Sequence, residues 1–176
     1  MKKINIGIDP GSRYFGWAVV QLEHASGKEE VIDHGVIHPP ESTHKTIGER
    51  LEYIRERLES IIELLKIEIN ENDKLTITIE DYFIHQGAGA KVIPWVQGMV
   101  LWLASGKHKL ETKFIPPQSV KKIITGNGRA QKTEVKKVII TKFQISDNLT
   151  SDEYDAIAVA YSGLKKDKCN GGKKCS

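Results

Sequence analysis

The chain has 176 residues, of which 39% are hydrophobic and 28% are charged, and its formal net charge is +3 at pH 7. This length accommodates one domain with a sizeable core and leaves little room for two. The composition excludes disordered and fibrous proteins. No apolar run approaches the roughly 20 residues that cross a bilayer, and no signal-peptide stretch precedes the first predicted strand. We therefore expect a cytoplasmic protein that does not associate with membranes.

The first half of the chain is predicted to form three strands, a helix and a fourth strand. Alternating apolar residues cover 3–9 and 14–22, joined by a Pro-Gly turn, and a third strand is predicted over 29–38. Apolar residues then recur at helical spacing from 43 to about 68, which predicts a long amphipathic helix. The alternating run at 74–80 predicts the fourth strand.

The second half is predicted to be mainly helical. Helices are expected over 88–105, 117–124, 131–143 and 151–164, with a short fifth strand at 112–116. Three hairpin-connected strands followed by helix-crossed strands predict an α/β fold. Its five-stranded mixed sheet would have three antiparallel strands and then two parallel ones, flanked by helices.

We assign residues 1–165 to a single domain and residues 166–176 to a basic, mobile tail. The tail contains both cysteines of the chain, Cys169 and Cys175. Reduced thiols are the simpler interpretation for a cytoplasmic protein, and a small disulfide loop or half of a metal site is the alternative.

Four acidic residues stand at positions where their chemistry needs an explanation. Asp9 ends the first strand and Glu80 ends the fourth, each on the less apolar face of its strand. If these strands are parallel neighbours, the two carboxylates meet at one end of the sheet. Asp152 and Asp155 lie three residues apart at the start of the last helix. Acids in a first helical turn also stabilise the helix dipole without any function, an alternative that is stronger for Asp152 than for Asp155.

Carboxylates gathered in this way are typical ligands of hard divalent cations, which predicts Mg²⁺ or Mn²⁺ rather than a thiolate-bound metal. Four unpaired carboxylates would repel one another and raise their pKa values. Two divalent ions would balance that charge, and two ions about 4 Å apart favour hydrolysis of a phosphodiester.

Four segments resemble one known family. The stretches "IGIDPGSRYFGWAVV", "ITIEDYF", "GNGRAQKTEVKKVI" and "SDEYDAIAVAY" occur in order between about residues 4 and 164, and together they resemble the RuvC-type Holliday-junction resolvases. The resemblance implies an RNase H-like fold. It also implies a homodimeric endonuclease that acts in DNA recombination and repair. Such an enzyme nicks four-way DNA junctions symmetrically with Mg²⁺, and two ions per subunit are expected.

The resemblance also implies roles for individual residues through the matching motifs. Asp9, Glu80, Asp152 and Asp155 would be the catalytic, metal-binding acids. Lys132 would be a catalytic lysine that stabilises charge at the scissile phosphate. A solvated lysine at a helix start is the alternative for Lys132.

DNA contacts are implied for the segments around these acids. Phe83 matches an aromatic residue that stacks on a base at the junction crossover, with a core position as the alternative. Lys121 matches a basic residue that contacts DNA. Basic residues outnumber acids around these motifs and predict a phosphate-facing surface: Lys107, Lys109, Lys113, Lys121, Lys122, Arg129, Lys132, Lys136 and Lys137.

Protein partners are implied as well. The predicted helix at 88–105 has more apolar residues than one buried stripe needs, among them Trp95, Met99 and Trp102. It resembles the dimer-forming helix of the family, and packing against the sheet is the alternative. Junction-binding and branch-migration proteins act beside the family's nucleases and are expected partners.

The chain departs from the family pattern in two places. The loop at 23–33 is longer than usual, and the tail has no counterpart. Asp81 and Glu153 sit beside proposed ligands and could share their roles.

Three other functions compete with this one. YqgF-type RNase H-like proteins, implicated in ribosomal RNA processing, share the early acid-bearing strand but lack a good counterpart of "GNGRAQK" followed by the paired-acid helix. Actin-like ATPases need two such domains and a longer chain. A catalytically inactive DNA-binding module is disfavoured because all four acids are present.

Overall fold

The computed structural model describes residues 1–81 and 92–169 of the chain. Its elements in chain order are β1 (Lys2–Asp9), β2 (Phe15–Glu23), β3 (Glu29–Ile37), α1 (Ile47–Glu68), β4 (Lys74–Glu80), α2 (Ile93–Leu101), a π-helical segment (Trp102–Lys107), β5 (Glu111–Ile115), α3 (Pro117–Thr125), α4 (Lys132–Phe143) and α5 (Ser151–Cys169). No helix among the described residues is long and apolar enough to span a membrane.

The five strands form one mixed sheet in the order β3-β2-β1-β4-β5. β1 pairs antiparallel with β2, and β2 pairs antiparallel with β3. β4 runs parallel to both β1 and β5. The predicted fold class, with an antiparallel half and a parallel half, is confirmed.

Helix α1 begins later than the sequence pattern predicts, at Ile47 rather than at residue 43. Thr46 is the N-cap, and its side chain accepts a hydrogen bond from the backbone N–H of Glu49. The Glu49 carboxylate in turn accepts from the backbone N–H of Thr46. This reciprocal capping box satisfies the free N–H groups of the first turn, so the helix starts there and not at the preceding polar residues.

The start of the predicted helix at 88–105 cannot be compared, because residues 82–91 lie outside the described part of the chain. The described portion begins with Ile93 and has Pro94 in its first turn, where the missing N–H removes no helical hydrogen bond. It then widens into a π-helical segment that ends at Lys107, two residues beyond the predicted end.

The sheet buries two different cores. On one face, the β1 residues Ile4, Ile6 and Ile8 pack with an apolar cluster that includes Ile54 and Leu58 of α1. On the other face, the cluster is built largely from α5. Helix α5 runs to Cys169, four residues into the segment that we assigned to the tail, and Cys175 lies outside the described residues.

Helix α5 lies very close to the strands at the centre of the sheet. A Cβ atom on Gly7 would clash with the backbone of Ala156 and Ala160, so only glycine permits this approach. The Asn5 amide donates a hydrogen bond of 2.7 Å to the carbonyl of Ala160 and accepts one of 2.8 Å from the hydroxyl of Thr76. These contacts fix the position of α5 along β1 and therefore the position of its first turn.

Candidate active site

The parallel pairing of β1 with β4 brings Asp9 and Glu80 to one end of the sheet. Ile8 pairs with Ile79 in the parallel register, so Asp9 and Glu80 are the next residues of their strands. Each is only 8% exposed. The prediction that the two carboxylates lie together is in agreement with this register.

The first turn of α5 lies against the same end of the sheet. Gly16 is the register partner of Asp9, and a Cβ atom on Gly16 would clash with the backbone carbonyl of Asp152. Thr150 caps the helix, accepting a hydrogen bond of 3.3 Å from the backbone N–H of Glu153. The cap and the close contact at Gly16 direct the start of α5, with Asp152 and then Asp155, toward Asp9.

The pKa of Asp9 reflects its burial and the neighbouring acids. Burial and the neighbouring charges of Glu80, Asp155 and Asp152 raise the pKa of Asp9 from 3.8 to about 7, and Lys132 acts in the opposite direction. A buried carboxylate among other negative charges is stabilised when its oxygens bind a proton or a cation. The arrangement therefore fits a divalent cation bound by oxygen ligands.

Lys132 is the first residue of α4, and its side chain reaches Asp155 of α5. Its Nζ donates a hydrogen bond of 2.5 Å to Oδ2 of Asp155. Burial works to lower the pKa of Lys132, but the bond to Asp155 and the charges of Asp155, Asp9 and Glu80 outweigh it and raise that pKa. Lys132 thus stays cationic beside the acids.

A pocket opens beside Glu80, Asp155 and Lys132, and Lys121 of α3 lies on its wall. The remaining lining is apolar and comes from α3, α4 and α5: Pro117, Val120, Val135 and Ala158. The pocket therefore places two lysines and two carboxylates around one opening, which suits a phosphate that approaches bound cations.

The other predicted DNA-binding residues lie farther from this opening. Lys122 and Arg129 are exposed and do not line the pocket. Lys136 donates to the carbonyl of Asp147 at 3.1 Å and lies 4.7 Å from the ring centroid of Tyr154. Phe83 lies outside the described residues.

Glu153, which could have shared the role of the paired acids, is engaged elsewhere. Its Oε2 accepts from the backbone N–H and the hydroxyl of Thr150, and its Oε1 lies 2.8 Å from Nδ1 of His34. Burial works to raise the pKa of Glu153, but these hydrogen bonds outweigh it and lower that pKa. Glu153 therefore stabilises the helix start. Asp81 donates its backbone N–H to the carbonyl of Ile115, which extends the pairing of β4 with β5.

Sequence reasoning missed the role of Asn5. This side chain is fully buried and bonds to β4 and α5 together. The available signal was a polar residue on the strand face that Gly7 and Asp9 share.

A second group of potential metal ligands lies on the opposite side of the sheet. Glu59, Glu63 and His108 bring one ligand atom each to within 4.8 Å of one another. Arg55 donates to Glu59 at 2.5 Å and Lys107 forms an ion pair with it, so cations of the chain already balance Glu59.

A comparison with protein families separates the competing functions. Residues 5–162 match the family model described as crossover junction endodeoxyribonuclease RuvC. The chain belongs to the RuvC family. Membership disfavours the YqgF-type alternative and implies a nuclease that depends on a divalent metal.

Curated relatives and solved structures agree with this assignment. A Rickettsia bellii RuvC is 33% identical over 163 residues, which is 92% of this chain and 96% of the relative. A Prochlorococcus marinus RuvC is 31% identical over 160 residues, which is 90% of this chain and 96% of the relative.

Two structures of Thermus thermophilus RuvC show the same fold. One has a TM-score of 0.78 and 22% identity, and covers 97% of this chain and 98% of its own. The other, in complex with a Holliday junction substrate, has a TM-score of 0.79 and 23% identity with the same coverage. The predicted RNase H-like fold is thereby confirmed.

Proposed function

We propose that this RuvC-family chain resolves four-way DNA junctions by metal-dependent hydrolysis at Asp9, Glu80, Asp152 and Asp155. The observation that carries the proposal is the convergence of β1, β4 and the first turn of α5 at one end of the sheet, where burial and the neighbouring carboxylates raise the pKa of Asp9 to about 7. We place the protein in the cytoplasm, acting in DNA recombination and repair.

The four acids fit the hard divalent cations that the family implies, and Mg²⁺ is the expected ion, with Mn²⁺ able to substitute. Two ions per subunit would match four carboxylates in charge. When bound, such ions supply an activated water and stabilise the charge of the leaving oxygen. The chain itself contributes the fixed placement of the four carboxylates, which Gly7, Gly16 and the cap of α5 determine.

Lys132 and Lys121 support the same reaction from the pocket wall. Lys132 is held by Asp155 and stays protonated, so it places a positive charge beside a phosphate that enters the opening. Lys121 lies on the same wall and would bind the adjoining backbone. We expect Lys122, Arg129 and Lys136 to contact DNA farther away, and Phe83 to stack on a base at the crossover.

A homodimer would provide the two sites that symmetric nicking needs. Trp95 is 53% exposed and Trp102 is 58% exposed, and both side chains belong to the helical segment between β4 and β5. Seven residues apart, they lie on one side of that segment. Large exposed aromatic side chains on one helix face are typical of protein interfaces, and a second copy of this chain is the expected occupant.

The test is cleavage of a synthetic four-way junction with and without Mg²⁺. We expect nicking only with the ion, and a loss of more than about a hundredfold in Asp9→Asn, because removal of a charged ligand costs more than removal of a group that only supports a ligand. Glu63→Gln is the matched control. It removes an exposed carboxylate from the second group of potential ligands on α1, and cleavage should stay unchanged.

Two results would contradict the proposal. Full activity in Asp9→Asn would mean that the acids at the end of the sheet do not bind the reacting metal. Cleavage of RNA alone would instead favour the function of the YqgF-type proteins.

A further inference from the structure

The turn between β1 and β2 carries an exposed cation and an exposed aromatic ring close to the catalytic end of the sheet. Tyr14 follows Asp9 by five residues and is 55% exposed. The Arg13 side chain is 66% exposed. Asp9 pairs with Gly16, and Phe15 pairs with Ile37. The turn therefore lies at the same end of the sheet as the acids, on the side of β2 and β3.

The ring of Tyr14 is held in place although it contributes nothing to the core. It stacks on His38 with a centroid distance of 4.7 Å and an interplanar angle of 5°. Nδ1 of His38 lies 2.8 Å from the carbonyl of Arg13 and donates to it. A Cβ atom on Gly11 would clash with the Tyr14 carbonyl, so glycine permits the tight turn. One exposed tyrosine needs no explanation, but a ring that stacks on His38, which is itself bonded to the backbone of Arg13, presents a defined surface.

The Arg13 guanidinium is available for an anionic ligand. Its ion pair with Glu41 is 3.6 Å long, and both side chains are about two-thirds exposed. Exposed pairs of this kind contribute little to stability, so a phosphate oxygen competes easily with Glu41. A cation beside a fixed aromatic ring is the combination that binds a nucleic-acid strand, one group on the phosphate and the other on a base.

We propose that Arg13 and Tyr14 form a second DNA-contact element, in which Arg13 binds a backbone phosphate and Tyr14 stacks on a base of a junction strand. This element follows β1 at the turn into β2, whereas Lys121 and Lys132 line the pocket beside Glu80 at the end of β4, so the two sets of residues flank Asp9 on different sides. The strand to be cut is thus bound on both sides of the reacting phosphate. The inference rests on the proposed action on junction DNA.

The test measures binding to a synthetic four-way junction with Ca²⁺ in place of Mg²⁺, so that the DNA stays uncut. Arg13→Gln should weaken binding about five- to tenfold near 0.15 M salt and lower the salt slope by about one ion. Tyr14→Ala should weaken binding about tenfold, whereas Tyr14→Phe, which keeps the ring, should stay within about twofold of the wild type.

Arg57→Gln is the matched control, because it removes an exposed arginine from α1 and should leave binding unchanged. A second measurement does not depend on a variant. Photo-crosslinking of junctions that carry 5-bromodeoxyuridine near the cut should attach a base to Tyr14, as peptide mass spectrometry would show.

The outcomes separate the inference from the function on which it rests. If Arg13→Gln and Tyr14→Ala bind like the wild type and Tyr14 acquires no crosslink, the second contact element is wrong and the nuclease function stands. If Tyr14→Phe loses as much binding as Tyr14→Ala, the stacking role is wrong. If the wild type does not prefer junctions over duplex DNA, the proposed function itself fails.

Discussion

The two faces of the sheet use the same strands for different purposes. Toward α1, β1 presents Ile4, Ile6 and Ile8 to an apolar core that stabilises the fold. Toward α5, the same strand presents Asn5, Gly7 and Asp9. Packing on the α1 face depends on the size and burial of apolar side chains. Packing on the α5 face also depends on close backbone contacts and on hydrogen bonds that fix the position of α5 along β1.

The α5 face has little tolerance for added atoms. A Cβ atom on Gly163 would clash with Oγ1 of Thr78 and Nδ2 of Asn5, as one on Gly7 would clash with Ala160. An added methyl group would therefore move α5 and the acids at its first turn. The comparison teaches that both faces contribute to stability, whereas the catalytic geometry depends on the α5 face.

Asp9 should make a pH-dependent contribution to stability on the α5 face. The pKa of Asp9 is near 7 in the folded protein and 3.8 in the unfolded chain. The folded state therefore binds the proton more tightly, and stability falls as pH rises from about 4 to 7. The shift corresponds to roughly 4 kcal/mol. Urea unfolding of the metal-free protein should show this fall in the wild type and in Glu63→Gln but not in Asp9→Asn. An equal slope in all three proteins would contradict it.

A pair of neighbouring substitutions should separate the two faces most clearly. Ile6→Ala opens a cavity toward α1 and Gly7→Ala pushes α5 outward, each at a cost of about 3 kcal/mol. Denaturant unfolding should show both losses. Cleavage per folded molecule should stay near that of the wild type in Ile6→Ala and fall more than about tenfold in Gly7→Ala. Equal activities of the two folded variants would remove the distinction.

Removal of Lys132 tests the charge that α4 adds to the α5 face. Lys132→Ala should lower the cleavage rate about a hundredfold, because a cation that stabilises the phosphate is lost. Lys66→Ala removes an exposed lysine from α1 and should change the rate less than about twofold. Single-turnover cleavage at saturating enzyme measures this difference, and similar rates for the two variants would show that Lys132 is only a solvated surface residue.

The smallest effect concerns two matching helix caps. Thr46 and Thr150 each form a capping box, at the starts of α1 and α5. Alanine at either position should lower the free energy of unfolding by about 1 kcal/mol. Cleavage should fall only in Thr150→Ala, because that cap orients the acids. A comparable loss of cleavage in Thr46→Ala would show that the α1 face also determines the site.

Much of the fold was accessible from the sequence because it is encoded locally. Alternation predicted the strands, and the Pro-Gly turn predicted the first hairpin. The proximity of Asp9 and Glu80 was predicted from their positions at strand ends and from the assumption that these strands are parallel neighbours. The start of α1 was wrong by four residues, since polar residues before Thr46 fit the helical pattern but the cap decides the boundary.

The placement of α5 was beyond sequence reasoning because it depends on contacts between distant residues. Asn5 and Ala160 are 155 positions apart, and no local pattern pairs them. The same holds for Lys136, whose side chain bonds to the carbonyl of Asp147. Which lysines of α4 face the acids depends on how that helix is rotated against α5. The homodimer, the metal count and the partner proteins stay predictions.

The central claim is that Asp9 lies in one cluster with Glu80, Asp152 and Asp155. The measurement that tests it most directly is the pKa of Asp9. It can be measured in the metal-free protein by ¹³C NMR titration of the side-chain carboxyl, with Asp9→Asn identifying the resonance. The expected pKa is about 7, and added Mg²⁺ should abolish titration in that range, since a bound cation favours the ionised form. A pKa near 4 in the metal-free protein would show that Asp9 is not surrounded by Glu80, Asp152 and Asp155, and would contradict the account.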